Sequence, residues 1–137
     1  MKSYSIDHME GIGQSYADRL RSSGVKTVNR LLALGRDPRG RSALAESTGL
    51  NKDQILTWVN MADLYRVKGV GSEYAELLHK AGVDTVKELR NRNPQNLHVK
   101  MKDVNASGRR IVRQLPSFHL VESWVEQAKQ LKPMITY

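Results

Sequence analysis

The chain of 137 residues contains no cysteine, which excludes disulfide staples, thiolate chemistry and cysteine-ligated zinc and leaves packing as the source of stability. That suits a reducing compartment. No segment approaches the roughly 20 consecutive apolar residues that span a bilayer. Met1 to Tyr4 lacks the apolar run of a signal peptide, so the expectation is a soluble, cytoplasmic protein with no membrane partner. Alternating apolar and polar runs are missing as well, and every periodic stretch has helical spacing. Signatures of catalysis are absent: there is no nucleophile elbow, P-loop or paired-carboxylate pattern. The four histidines, His8, His79, His98 and His119, show no ligand spacing. No catalytic residue, metal or cofactor is expected, and the chain does not read as an enzyme.

What the chain has in excess is base. Lys and Arg number 22 against 14 Asp and Glu, a formal charge of +8 with a pI near 9.9, which favours a polyanionic partner through counterion release. The surplus is uneven. Residues 1–63 hold nine basic and seven acidic side chains, residues 64–137 thirteen and seven, so the second half should lead in binding an anion.

The chain also repeats itself. Ile6 to Leu20 aligns without a gap on Leu64 to Leu78, at a shift of 58 residues, and Gly24-Val25-Lys26-Thr27-Val28 aligns on Gly82-Val83-Asp84-Thr85-Val86. Each copy carries a glycine pair around one apolar residue, Gly11-Ile12-Gly13 and Gly69-Val70-Gly71, with helical spacing on both sides. Such a triplet reads as a tight reversal between two helices, with the apolar residue turned inward. The shared Tyr-Ala pair at Tyr16-Ala17 and Tyr74-Ala75 strengthens the case for an internal duplication. The expected repeats cover residues 1–63 and 64–137, packed as one compact unit.

Taken in order, Ser5 caps a short helix with Ile6 and Met9, and a second helix runs from Gln14 to Ser23, ended by Gly24. Thr27 caps a helix with Val28, Leu31 and Leu32. Asp37-Pro38 opens another. Thr48-Gly49-Leu50-Asn51 reads as a degenerate hairpin before a helix carrying Ile55, Trp58, Val59 and Ala62. In the second copy, Ser72 sits in the N-cap region, Asn93-Pro94 opens a helix with Leu97 and Met101, and Asn105 to Gly108 forms a turn. A helix with Arg109, Arg110, Ile111, Val112, Arg113 and Leu115 is expected next, ended by Pro116. Ser117 caps the last helix, where Val121, Trp124, Val125 and Ala128 repeat Ile55, Trp58, Val59 and Ala62 at a shift of 66. The fold class is all-α, about ten short helices in two pseudo-repeats. Trp58, Trp124, Tyr16 and Tyr74 read as packing residues.

These residues resemble the helix-hairpin-helix motif in the form I-x-x-[MV]-x-G-[IV]-G-x-x-Y-A-x-x-L. In tandem the pattern looks like DNA repair and recombination modules. Over nearly the whole chain it is similar to a bacterial family, domain of unknown function 4332, through Trp58 to Leu64, Gly69 to Ala75, Arg92 to Pro94 and Pro133 to Tyr137. The resemblance implies that hairpin amides receive a DNA phosphate oxygen, without reading bases. By that likeness the binding residues are Gly11, Gly13, Gln14 and Ser15 in the first copy, and Gly69, Val70, Gly71 and Ser72 in the second, with Arg66 and Lys68 flanking. Glu10 stands where Lys68 stands, and no basic residue occurs from Ile12 through Asp18. Lys52, Arg109, Arg110 and Arg113 are further basic candidates beside the turns at Asn51 and Asn105. The expected partner is non-specific duplex DNA. The alternative is a protein-interaction or oligomeric scaffold module, in which the hairpins serve only the fold and the C-terminal segment Pro133 to Tyr137 docks on a partner or on a second copy.

Overall fold

The computed structural model describes residues 4–137; the reading of Met1, Lys2 and Ser3 lies outside the described residues. Among the described residues the fold is all-α. A 3-10 turn at Ile6–His8 precedes eight α-helices: α1 (Gln14–Ser22), α2 (Val28–Gly35), α3 (Pro38–Thr48), α4 (Lys52–Leu64), α5 (Ser72–Lys80), α6 (Val86–Leu89), α7 (Pro94–Ala106) and α8 (Phe118–Gln130). No helix among them is long and apolar enough to cross a membrane. One isolated antiparallel bridge joins Ser5 to Thr27.

Two compact units make up the chain, Met1–Asp63 with Met134–Tyr137, and Leu64–Pro133. Most helices start where a short polar side chain can accept from first-turn amides, which have no partner inside a helix. Thr27 accepts from Arg30, Asp37 from Gly40 with Pro38 following, Asn93 from Asn96 and Ser117 from Leu120. Asn51 Oδ1 accepts from both Asp53 and Gln54, fixing the start of α4.

In the first unit α2 packs on α3, and α1 packs on the 3-10 turn and on α3. Ile6, Leu20, Leu31, Ile55 and Trp58 are buried at its centre. Arg41, on α3, is buried too. Its guanidinium donates to Gly35 O at the end of α2 and to Thr136 O in the C-terminal segment, which is how that segment comes to belong to the first unit and not the second. In the second unit α7 packs on α5 and α8, and α6 on α8, around Leu77, Leu78, Leu97, Met101 and Trp124.

Three local readings are corrected. The opening element is a 3-10 turn, and the Ser5 hydroxyl caps nothing; it accepts from Arg21. Ser72 is the first residue of α5, with Gly71 at the N-cap. The stretch 107–117 holds no helix, which brings the count below ten. Its shape comes from Asn105, whose Oδ1 accepts from the amides of both Ile111 and Val112 while its Nδ2 donates to Val112 O. Val112 is buried as the plug of this loop, and Arg110 folds back onto Val112 O and Arg113 O.

Candidate nucleic-acid interface

In the second unit the chain leaves α4 at Leu64 and reverses through Val67-Lys68-Gly69-Val70-Gly71 into α5. Val67 and Val70 point inward and are buried. Gly69 has φ of +94°, a conformation that side chains rarely adopt, and it lies directly on the buried Trp124 indole. A Cβ built there would stand 3.1 Å from Trp124 Nε1 and 3.6 Å from Leu120 Cδ1. The Trp124 N–H, pressed against this backbone, has no acceptor among the described residues. Tyr74 packs tilted against the same indole, with ring centroids 5.2 Å apart, and donates its hydroxyl to Gln114 O.

Gln127 holds the hairpin from α8. Its Oε1 accepts from the Lys68 amide at 2.9 Å and its Nε2 donates to Lys68 O at 3.2 Å, so both peptide groups of the residue before Gly69 are tied down. The Lys68 side chain is exposed, and its ammonium has no acidic partner among the described residues. Past the reversal, α5 begins at Gly71 with no side-chain cap. The Glu73 and Tyr74 amides of its first turn, at the positive helix end, therefore receive no oxygen from an N-cap side chain, which most other helices supply from their own sequence.

The same arrangement recurs in the first unit. Gly11 has φ of +86° beside Trp58, Ile12 is buried, and α1 starts at Gly13 without a side-chain cap. Tyr16 stands edge-on to Trp58 with centroids 5.2 Å apart. A Cβ on Gly13 would meet nothing within 4 Å, so packing does not account for the missing side chain. Gln14 and Ser15 are exposed on the first turn. The counterpart of Gln127 is Met61, which is buried and offers no such double hydrogen bond, and Glu10 brings the opposite charge.

The other candidates fare differently. Arg66 donates to Lys132 O at 2.7 Å within the second unit. Arg109 pairs with Glu76, largely buried on α5, so its charge is met inside the unit. Arg110 is spent on loop carbonyls. Of the three arginines expected on one helical face, only Arg113 is exposed with its guanidinium without an acceptor among the described residues. Lys52 is exposed at the start of α4, but the amides there already bond to Asn51. Gly69, Val70, Gly71 and Ser72 are brought together with Arg66 and Lys68 in one reversal, while the arginine cluster dissolves into a loop. Gln127, Glu76 and Asn105 carry no signal in the sequence, because each acts through a partner at least six residues away. Among the described residues no cluster of His, Asp and Glu could hold a metal ion.

A family model, Domain of unknown function (DUF4332), matches residues 10–131. Neither the curated proteins nor the solved structures give a match.

Proposed function

Because the chain belongs to the Domain of unknown function (DUF4332) family, whose description names no activity, we propose its function from its geometry. It is a non-catalytic module that binds duplex DNA without regard to sequence, chiefly through the second reversal, used as a helix-hairpin-helix uses its turn. The observation that carries this reading is the start of α5. A helix of nine residues begins at an N-cap with no side-chain oxygen, next to an exposed lysine whose backbone is held by two hydrogen bonds. A phosphate oxygen placed there can accept from the Glu73 and Tyr74 amides, meets the positive end of the helix and gains the Lys68 charge. Contacts of this type reach the DNA backbone only. The first reversal repeats the amides but carries Glu10, so it assists weakly.

With Lys68, Arg113 and the α5 terminus engaged, two to three phosphates are neutralised. Affinity then falls about 10- to 40-fold between 50 and 200 mM salt, starting from the micromolar range or weaker. Fluorescence anisotropy with a labelled duplex of random sequence at low salt tests it. Gly71→Glu, which sets a carboxylate at the α5 terminus, is expected to abolish binding, and a second unrelated duplex is expected to bind equally well. An absence of binding at low salt, or a Gly71→Glu chain that binds as the parent does, overturns the reading and leaves the reversals as purely structural joints.

A further inference from the structure

In the first copy three residues, 49–51, link α3 to α4, where eleven in the second, 107–117, link α7 to α8. The longer connection has no helix to satisfy its backbone, and side chains do so instead. Val112 O accepts from Asn105 Nδ2 and from Arg110 Nε, both at 3.1 Å, and Arg113 O accepts from Arg110. Gln114 O accepts from the Tyr74 hydroxyl at 3.2 Å, and Pro116 O lies 2.9 Å from His98 Nε2. Val112 and Pro116 are buried, and Arg109 is paired with Glu76. Arg113 therefore projects from a stretch in which its own carbonyl and those on either side are captured.

Of the residues that hold this loop, Tyr74 alone lies in the first turn of α5. Its amide is one of the two that no N-cap oxygen meets, and its ring packs on Trp124, the indole on which Gly69 sits. One side chain thus joins the floor of the reversal to the loop. Resting on the DNA-binding reading above, we propose that Tyr74 is a positioning residue: its hydroxyl fixes Arg113 beside the α5 terminus, so that the two receive phosphates of one duplex as a unit. Ordering a loose loop on binding costs free energy, and a loop already pinned has little left to lose. The first copy has the same ring contact, Tyr16 on Trp58, but its short connection Gly49-Leu50-Asn51 carries no basic residue to place.

Tyr74→Phe tests this, because it keeps the ring on Trp124 and the α5 amides and removes only the hydroxyl. The probe is a labelled duplex of random sequence, titrated by anisotropy between 50 and 200 mM salt. Arg113→Ala is expected to make the salt slope shallower by about 0.9, one phosphate's share. Tyr74→Phe is expected to take away most of that same share, and the double variant to fall no further than Arg113→Ala alone. A Tyr74→Phe chain with the parent's slope, or a double variant that shows the sum of two separate losses, overturns the proposal while the DNA-binding reading stands. A parent chain that binds no duplex overturns both. A second measurement needs no DNA: in Tyr74→Phe the heteronuclear NOE at the Gln114 and Leu115 amides is expected to drop as the loop loosens, whereas Arg113→Ala leaves it in place. An undiminished NOE in Tyr74→Phe overturns the proposal.

Discussion

Adding one methyl group at each of the two equivalent glycines, Gly69 and Gly11, should have unequal effects. Both have positive φ, +94° and +86°. Alanine in either place is strained by about 1–3 kcal/mol. The surroundings differ. At Gly69 the new Cβ stands 3.1 Å from the Trp124 indole nitrogen, which is fully buried and has Leu120 close by, so the ring has to shift within a packed core. Overpacking of that kind adds about 1–3 kcal/mol. At Gly11 the Cβ is 3.8 Å from Trp58 Nε1, ordinary van der Waals contact, and no such addition applies. Gly69→Ala is therefore expected to destabilise the second unit by about 2–6 kcal/mol, against about 1–3 kcal/mol for Gly11→Ala in the first unit. Each unit has one buried tryptophan, so fluorescence can follow them one at a time. A Trp58→Phe background leaves Trp124 to report urea unfolding of the second unit, and Trp124→Phe leaves Trp58 to report the first. Equal losses, or a larger loss at Gly11, would refute the claim that the second reversal is seated harder on its tryptophan.

Arg41→Met removes charge-assisted hydrogen bonds to Gly35 O and Thr136 O, and a loss of about 2–4 kcal/mol is expected from the first unit by urea titration of Trp58 fluorescence. Asn105→Ala should release the loop at 107–117 without melting α7, seen as faster hydrogen exchange at the Ile111 and Val112 amides while Met101 keeps its protection. Lys68→Ala should lower the salt slope of DNA binding by about 0.9, one phosphate's share, with no change in sequence preference. The exposed Asp7 carboxylate is held below its usual range by the Ser5 hydroxyl first and by Arg21, 3.3 Å away, after it. A depressed carboxylate contributes its stabilisation above the unfolded value, about 3.9, and loses it as pH falls through the folded value. Arg21→Ala should raise the Asp7 midpoint in an NMR titration.

Much of the helical framework is legible from short-range chemistry. Thr27, Asp37-Pro38, Asn51, Asn93-Pro94 and Ser117 all cap where their spacing to the next apolar residue puts them, because a cap is decided within one turn of chain. Trp58 and Trp124 are core residues, as their places in apolar stripes indicate. The loop at 107–117 defeats the same reasoning. Ile111, Val112 and Leu115 have helical spacing among arginines, but one amide side chain at Asn105 captures two backbone N–H groups six and seven residues on, and no periodicity encodes that bond. The candidate site divides in the same way. The glycine triplet and Lys68 stand out from composition and repeat, whereas Gln127, whose equivalent position in the other copy is Met61, has no counterpart to mark it, and the pairing of Arg109 with Glu76 is visible only once α5 and the loop are folded.

The account rests on an anion being received at the start of α5. Titrating an isotopically labelled chain with duplex DNA of arbitrary sequence at low salt, and following backbone amide resonances, tests it most directly. The predicted result is shifts concentrated at Gly69, Gly71 and Glu73, smaller ones at Gly13 and Gln14, and their reversal on adding salt. Unmoved amides at Gly71 and Glu73 while the duplex binds elsewhere, or no shift at any residue, would contradict it.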